Sequence, residues 1–256
     1  MSDKQTVLCD DAPKCQPIEF DDTRLDEKKG EKLPPIMKKE VDGICSSTKY
    51  GDLLIAPCSF ECAKYSCENY HYSKKMLRGR TIKHGVWEDN VFKGVIVYSN
   101  GINRMIASPY NLDYSEVCEL SRIALDGHQN FLSKILAKSL KLLHIQNPLL
   151  KIVVSYADPN ENHLGVIYQA TNWIYEGQKR NSYQYIINGE LVYGKSVYDR
   201  YGTSKIKYLR ENVDENAKMI YIEGKYKYCY PMTKTVRKQY MNIHKPYPKV
   251  LRCRRK

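Results

Sequence analysis

Six side chains in two short stretches could together carry a proton-transfer reaction. Glu119, Ser121 and Arg122 stand within one strand-like run, and Asp158, His163 and Tyr168 follow a second. A carboxylate or imidazole can accept a proton, a phenol can return one, and a guanidinium can hold a carboxylate, a phosphate or a developing oxyanion. Each also has an ordinary structural reading. Glu119 and Arg122 could be surface strand residues, and Tyr168 a core ring with a satisfied hydroxyl. Asp158 before Pro159 could be a turn residue that bonds its own following backbone. Ser133, in the first turn of a helix, could simply help cap it.

What makes these residues a candidate site is the set of elements that must position them. Residues 117–125 (VCELSRIAL) have the length and partial alternation of a strand. Residues 151–157 (KIVVSYA) form the near-continuous apolar run of a strand covered on both faces. Between them Asn130 can cap a helix to about Ile145, with Phe131, Leu132, Ile135, Leu136, Leu140 and Leu143 at helical spacing and Pro148 beyond its end. A second helix fits 163–172. With a helix after each strand, the C-terminal strand ends and their loops fall together, which is the usual ligand crevice of an open α/β sheet. Upstream, 87–98 (WEDNVFKGVIVY) reads as a hairpin turning at Asp89-Asn90. Downstream lie 173–177, a strand at 183–187, and a hairpin turn at Asn188-Gly189 into 190–193. The order predicts an α/β or α+β fold, a mixed central sheet flanked by helices, with no internal repeat.

Charge is distributed unevenly. The 256 residues carry a formal net +12. Residues 1–47 hold 8 basic and 11 acidic side chains and are polar and interrupted by Pro34-Pro35, the composition of a disordered or loosely attached extension. Residues 205–256 hold 15 basic and 4 acidic side chains interleaved with seven tyrosines. Lysine and arginine attract phosphates and tyrosine offers faces on which bases stack, so this basic tyrosine-rich C-terminal segment points to a polyanion. A solubilising tail is the plain alternative. The remaining 48–204 would be the catalytic domain. No apolar run is long enough to cross a bilayer and the start shows no signal-peptide pattern, so a soluble, cytoplasmic protein without membrane partners is expected. Nine irregularly spaced cysteines then read as thiols. Cys58, Cys62, Cys67 and His71 have ligand types for zinc, but the spacing C-x3-C-x4-C-x3-H matches no established zinc module; small buried residues are the alternative.

The string NENHLGVIYQATNWIYEG, residues 160–177, resembles the GNAT superfamily of N-acetyltransferases: Asn160 or Asn162 before a helix carrying Tyr168, with Asn172-Trp173 where that superfamily has a Gly-Phe-like turn. The resemblance implies a GNAT-like sheet whose two parallel strands splay to hold an acyl-CoA. The superfamily's pyrophosphate loop is glycine-rich and opens a helix. Here Asp126-Gly127-His128-Gln129-Asn130 carries one glycine, so the usual phosphate cradle is absent.

A longer set of strings resembles the phage Mom family of adenine-modification proteins. They are His71-Tyr72-Ser73, Phe92-Lys93-Gly94-Val95-Ile96, Glu119-Leu120-Ser121-Arg122, Phe131-Leu132-Ser133, and above all SYADP at 155–159 followed by H-x-G-x-IYQATN at 163–172. Together they span roughly 65–180. The resemblance implies a DNA-modifying, acyltransferase-like transferase that converts adenine to an N6-carbamoylmethyl-type derivative and protects phage DNA from restriction, in a host cytoplasm. It implies Asp158, Tyr168, Arg122 and Ser133 as catalytic residues, and His71 as first candidate ligand for Fe(II). Glu119, His163, Asn172, Arg252, Arg254 and Arg255 are the expected substrate-binding residues. DNA is the expected partner, with its adenine flipped out or single-stranded; the group donor, acetyl-CoA or a related acyl donor included, is left open. A conventional acyl-CoA-dependent N-acyltransferase on a small amine or protein, and a non-catalytic DNA-binding protein on this fold, are the alternatives.

Overall fold

The turn at Asp89-Asn90 organises the first half of the chain. Both residues are left-handed (φ 50° and 63°), which matches the twist of a two-residue hairpin. Across it β3 (Thr81–Glu88) and β4 (Val91–Ser99) pair antiparallel. The computed structural model describes residues 43–48, 51–100, 104–127, 129 and 132–249. In it β2 (Gly51–Pro57) joins β3, β1 (Ile44–Thr48) joins β2, and β5 (Val117–Leu125) joins β4, all antiparallel. The order then continues through β6 (Ile152–Ala157), β11 (Tyr226–Pro231) and β7 (Ile174–Gln178), giving a mixed sheet ordered β1-β2-β3-β4-β5-β6-β11-β7. The mixed sheet with flanking helices is the expected fold class. Of the expected extension at 1–47, residues 1–42 lie outside the described residues, and its last residues belong to β1.

Two helices cover opposite faces of β2–β5. α1 (Phe60–Tyr70) buries Cys62, Ala63 and Cys67 against Ala56, Trp87, Val95, Val97 and Ala124. α2 (Leu132–Gln146) lies on the other face, because side chains alternate along a strand and Tyr98, next to Val97, bonds Ser139 of α2 at 2.8 Å. The expected cap Asn130 lies outside the described residues. Beneath α2 sits a closed polar chain. His84 is fully buried and its Nε2 is 2.9 Å from Gln146 Oε1. An amide oxygen only accepts, so Nε2 carries the proton and Nδ1 accepts from the Ser139 hydroxyl at 2.9 Å, which in turn accepts from Tyr98. Burial lowers the imidazole's pKa to about 4.

The chain divides into two compact units. The first holds the described residues up to Ser155, Ala170–Trp173 and Cys229–Asn242; the second holds Tyr156–Gln169, Ile174–Tyr228 and the described residues from Ile243. Within the second, β8 (Ser182–Ile187), β9 (Glu190–Tyr193) and β10 (Lys218–Ile222) form an antiparallel sheet ordered β10-β8-β9. The expected hairpin turn is there, with Asn188 and Gly189 at φ 52° and 77°. α4 (Gly194–Tyr201) and α5 (Ile206–Asn212) contribute Val197 and Leu209 to a core with Tyr185, Ile187, Val192 and Ala217.

Two expectations change. The helix expected over 163–172 is a 3-10 turn at Pro159–Glu161 and a short α3 (Val166–Ala170), because left-handed Asn162 and Gly165 (φ 58° and 74°) interrupt helical geometry between them. The basic C-terminal segment is built into the fold. It supplies α5, β10, β11 and α6 (Lys234–Tyr240), and β11 stands between β6 and β7. The alternation of Tyr226, Tyr228 and Tyr230 is a strand signal that its charge obscures.

Candidate functional site

In the second unit, Asp158 ends β6 and spends both carboxylate oxygens. Oδ1 accepts from the backbone and side-chain nitrogens of Asn160 at 3.1 and 2.8 Å, capping the 3-10 turn. Oδ2 lies 2.9 Å from Lys225 Nζ. Burial would raise this carboxyl's pKa, but the bonds from Lys225 and Asn160 override it and hold the group below the usual carboxylate range. Asp158 is therefore a fixed anion, suited to accepting a hydrogen bond and weak as a base. Asn160 extends the tie, donating to Glu223 O at 3.1 Å and accepting from Glu223 N at 3.2 Å. His163 is exposed, with its backbone N–H donating to Asp158 O at 2.9 Å.

Tyr168 lies ten residues on, in α3, and is buried with its ring centroid 5.1 Å from that of Tyr228. Tyr228 is fully buried, donates to Leu164 O at 2.5 Å, and sits 5.1 Å from the Tyr175 ring. Gly165 makes this packing possible: its φ is +74°, and a Cβ there would stand 2.4 Å from the Tyr228 ring. Burial pushes the Tyr228 hydroxyl up to about 12, so it stays a neutral donor.

In the first unit, β5 carries a bulge. Val97 is opposite Arg122 and Tyr98 opposite Leu120, which leaves Ser121 as the extra residue; Ser99 is opposite Glu119. Residues three apart on a regular strand face opposite sides. The bulge instead sets Glu119 and Arg122 opposite Ser99 and Val97, which share the α1 face. Ser121 Oγ is 2.8 Å from Ser99 Oγ. Arg122 NH1 donates to Ser121 O at 2.7 Å, while its Nε is buried and has no acceptor among the described residues. Burial raises the Cys67 thiol to about 11 against the lowering influence of Arg122, whose charge lies near α1. Ser133 is partly buried in the first turn of α2, on the helix that covers the opposite face, so it does not join Glu119 and Arg122.

His71, the buried C-cap of α1, fits iron poorly. Its Nδ1 accepts from the Ser73 N–H at 3.1 Å and lies 2.8 Å from Ser73 Oγ, so a neutral ring carries its proton on Nε2, the other possible ligand atom. Among the described residues, no group of three or more His, Cys, Asp or Glu is placed to hold a metal. The turn after β5 fits a pyrophosphate no better. Asp126 there donates its N–H to Lys93 O at 2.9 Å and places its carboxylate 3.5 Å from Lys93 Nζ, so an anion meets a carboxylate. Asn172 takes a left-handed φ of 59° in the turn before β7 and its carbonyl accepts from Arg237. Arg252, Arg254 and Arg255 lie outside the described residues.

The model of the Mom protein family matches residues 52–249 of this chain. The chain belongs to the Mom protein family. One relative in it, methylcarbamoylase mom of Escherichia phage Mu, is 25% identical over 235 residues, covering 87% of this chain and 95% of its own. The Mom match reaches past the strings at 65–180 and takes in β11 and α6. Accordingly, the residues that sequence reasoning missed come largely from that C-terminal part: Lys225 pairs with Asp158, and Tyr228 packs on Tyr168 and requires Gly165. The bulge at Ser121 was not legible either, since it exists only as a register shift against β4. No helix among the described residues is long and apolar enough to cross a membrane.

Proposed function

We propose that this chain is a phage-type DNA-modifying enzyme that converts adenine in DNA to an N6-carbamoylmethyl-type derivative, protecting that DNA from restriction in the host cytoplasm. The Mom family match over 52–249 carries the reading, and the name of the phage Mu relative, a methylcarbamoylase, supports it. Each unit, taken by itself, holds residue types that the chemistry asks for. Adenine N6 is a weak nucleophile because its lone pair is delocalised into the ring, so it must be oriented, relieved of a proton and met by charge stabilisation. Asp158, held ionised, accepts a hydrogen bond from the amine and takes the proton that N6 sheds once its bond to the incoming group has made it cationic and acidic, a step that a weak base can serve. Tyr168 donates a proton or positions the electrophile. Arg122, with a buried donor to spare, holds the negative end of the incoming group or the developing oxyanion. The base is presented flipped out or single-stranded, and the basic residues Arg252, Arg254 and Arg255 add phosphate affinity. Neither iron nor CoA enters this account, because neither donor set fits. The same misfit at Asp126 argues against a conventional acyl-CoA transferase.

Mass analysis of nucleosides from the DNA of expressing cells tests it. A heavier deoxyadenosine is expected, lost in Tyr168→Phe with the fold retained. Only unmodified nucleosides from well-folded, expressed protein would overturn the assignment.

A further inference from the structure

Tyr183 and Tyr221 are an aromatic pair that the core does not use. They sit directly opposite each other in the β8–β10 ladder, with ring centroids 5.8 Å apart at 66°. Alternation puts them on the face that carries Tyr185 and Ile187 against α4 and α5. Yet Tyr185 is 4% exposed, whereas Tyr183 and Tyr221 are 47% and 51% exposed, beyond the cover of the helices. Burying a large ring stabilises a small module, so leaving two neighbouring rings half in water costs stability that a ligand can return.

Their surroundings say what kind of ligand. Lys179 and Arg180 are exposed within a few residues of the pair. Two residues beyond Tyr221, Glu223 is tied by its backbone to Asn160, and Asn160 bonds Asp158. The pair therefore lies two residues from a hydrogen-bonded connection to the proposed catalytic carboxylate, within one compact unit. Flat aromatic faces flanked by cations fit unpaired nucleobases with their phosphates, and fit apolar protein surface less well.

We propose that Tyr183 and Tyr221 form a stacking platform for a nucleobase next to the one being modified. This rests on the proposed DNA-modifying function and adds a subsite to it. Stacking is insensitive to salt, so the platform contributes affinity without contributing to the salt slope, in contrast to the basic residues.

The test is binding of the full chain to a fluorescent single-stranded oligodeoxynucleotide at several salt concentrations. Replacing both tyrosines by Leu keeps apolar cover and removes the π-face; replacing both by Phe keeps the face and removes the hydroxyl. The Leu pair is expected to weaken binding roughly five- to a hundredfold with an unchanged salt slope, and the Phe pair to bind as the unaltered chain. Tyr198→Leu, at an exposed ring on α4, should change nothing. Leu variants that bind normally, a Phe pair as weak as the Leu pair, or a loss accompanied by a shallower slope would each overturn the platform. If the unaltered chain modifies adenine while the Leu variants bind and modify equally well, the platform alone fails. If the unaltered chain binds no DNA, both proposals fail.

Discussion

Asp158, just past the end of β6, and Arg122, on β5, are both charged candidate residues, but they are held in opposite ways. Asp158 has three donors on its two oxygens, and its charge is part of the architecture that joins the end of β6 to the loop before β11. Arg122 is placed by a bulge, bonds a carbonyl of its own neighbour, and keeps a buried Nε without an acceptor among the described residues. An unsatisfied buried donor costs stability, and such costs concentrate where a ligand supplies the missing partner. Saturation at Asp158 fixes its geometry and its charge, whereas the unsatisfied Nε of Arg122 leaves a donor with capacity to spare.

The largest expected effect follows from that contrast. Arg122→Gln should lower modification about 10²- to 10³-fold, the loss typical of removing a charge-stabilising donor, while the thermal midpoint stays level or rises. A marked fall in the midpoint would show that Arg122 holds structure after all.

A smaller effect comes from the closed chain under α2, the fully satisfied extreme. The folded pKa of His84, about 4, lies below its unfolded value of 6.5, so at lower pH the unfolded chain binds a proton that the folded chain refuses. Stability should be level above pH 6.5 and fall by about 3 kcal/mol as pH drops from there to 4. Denaturant titrations across that range would show it, and the fall should be missing in His84→Gln whatever that variant's absolute stability. An equal fall in both proteins would put the acid sensitivity elsewhere.

The smallest effect concerns Asp158 itself. Its folded pKa is depressed, so its contribution is present above the ordinary carboxylate range and lost as pH falls through the lowered value. Because Lys225 is half exposed, a double-mutant cycle of Asp158→Asn and Lys225→Met should give a coupling of only about 0.5–1 kcal/mol. No coupling would mean that the ion pair does not hold the loop, and the contrast with Arg122 would lose its structural side.

The sequence by itself determined those elements whose cause is local. Two left-handed residues at Asp89-Asn90 and another two at Asn188-Gly189 turn two hairpins, and the apolar periods of 117–125, 151–157 and the α2 stretch set two strands and a helix. It also determined the candidates, because residue types at a strand end are visible without coordinates. Only the tertiary structure decided which of them stand together. A register shift between β4 and β5, invisible in either strand alone, turns Glu119 and Arg122 to one face and leaves Ser133 on the helix of the other. A strand from the far end of the chain, read from its charge as a polyanion-binding segment, brings Tyr228 beneath Gly165 and Tyr168, and Lys225 just before it reaches Asp158. Turn chemistry acts over a few residues, whereas pairing and burial join residues 60 or more apart, as Tyr228 does to Leu164 at a separation of 64, and no local pattern encodes which distant partner closes that contact.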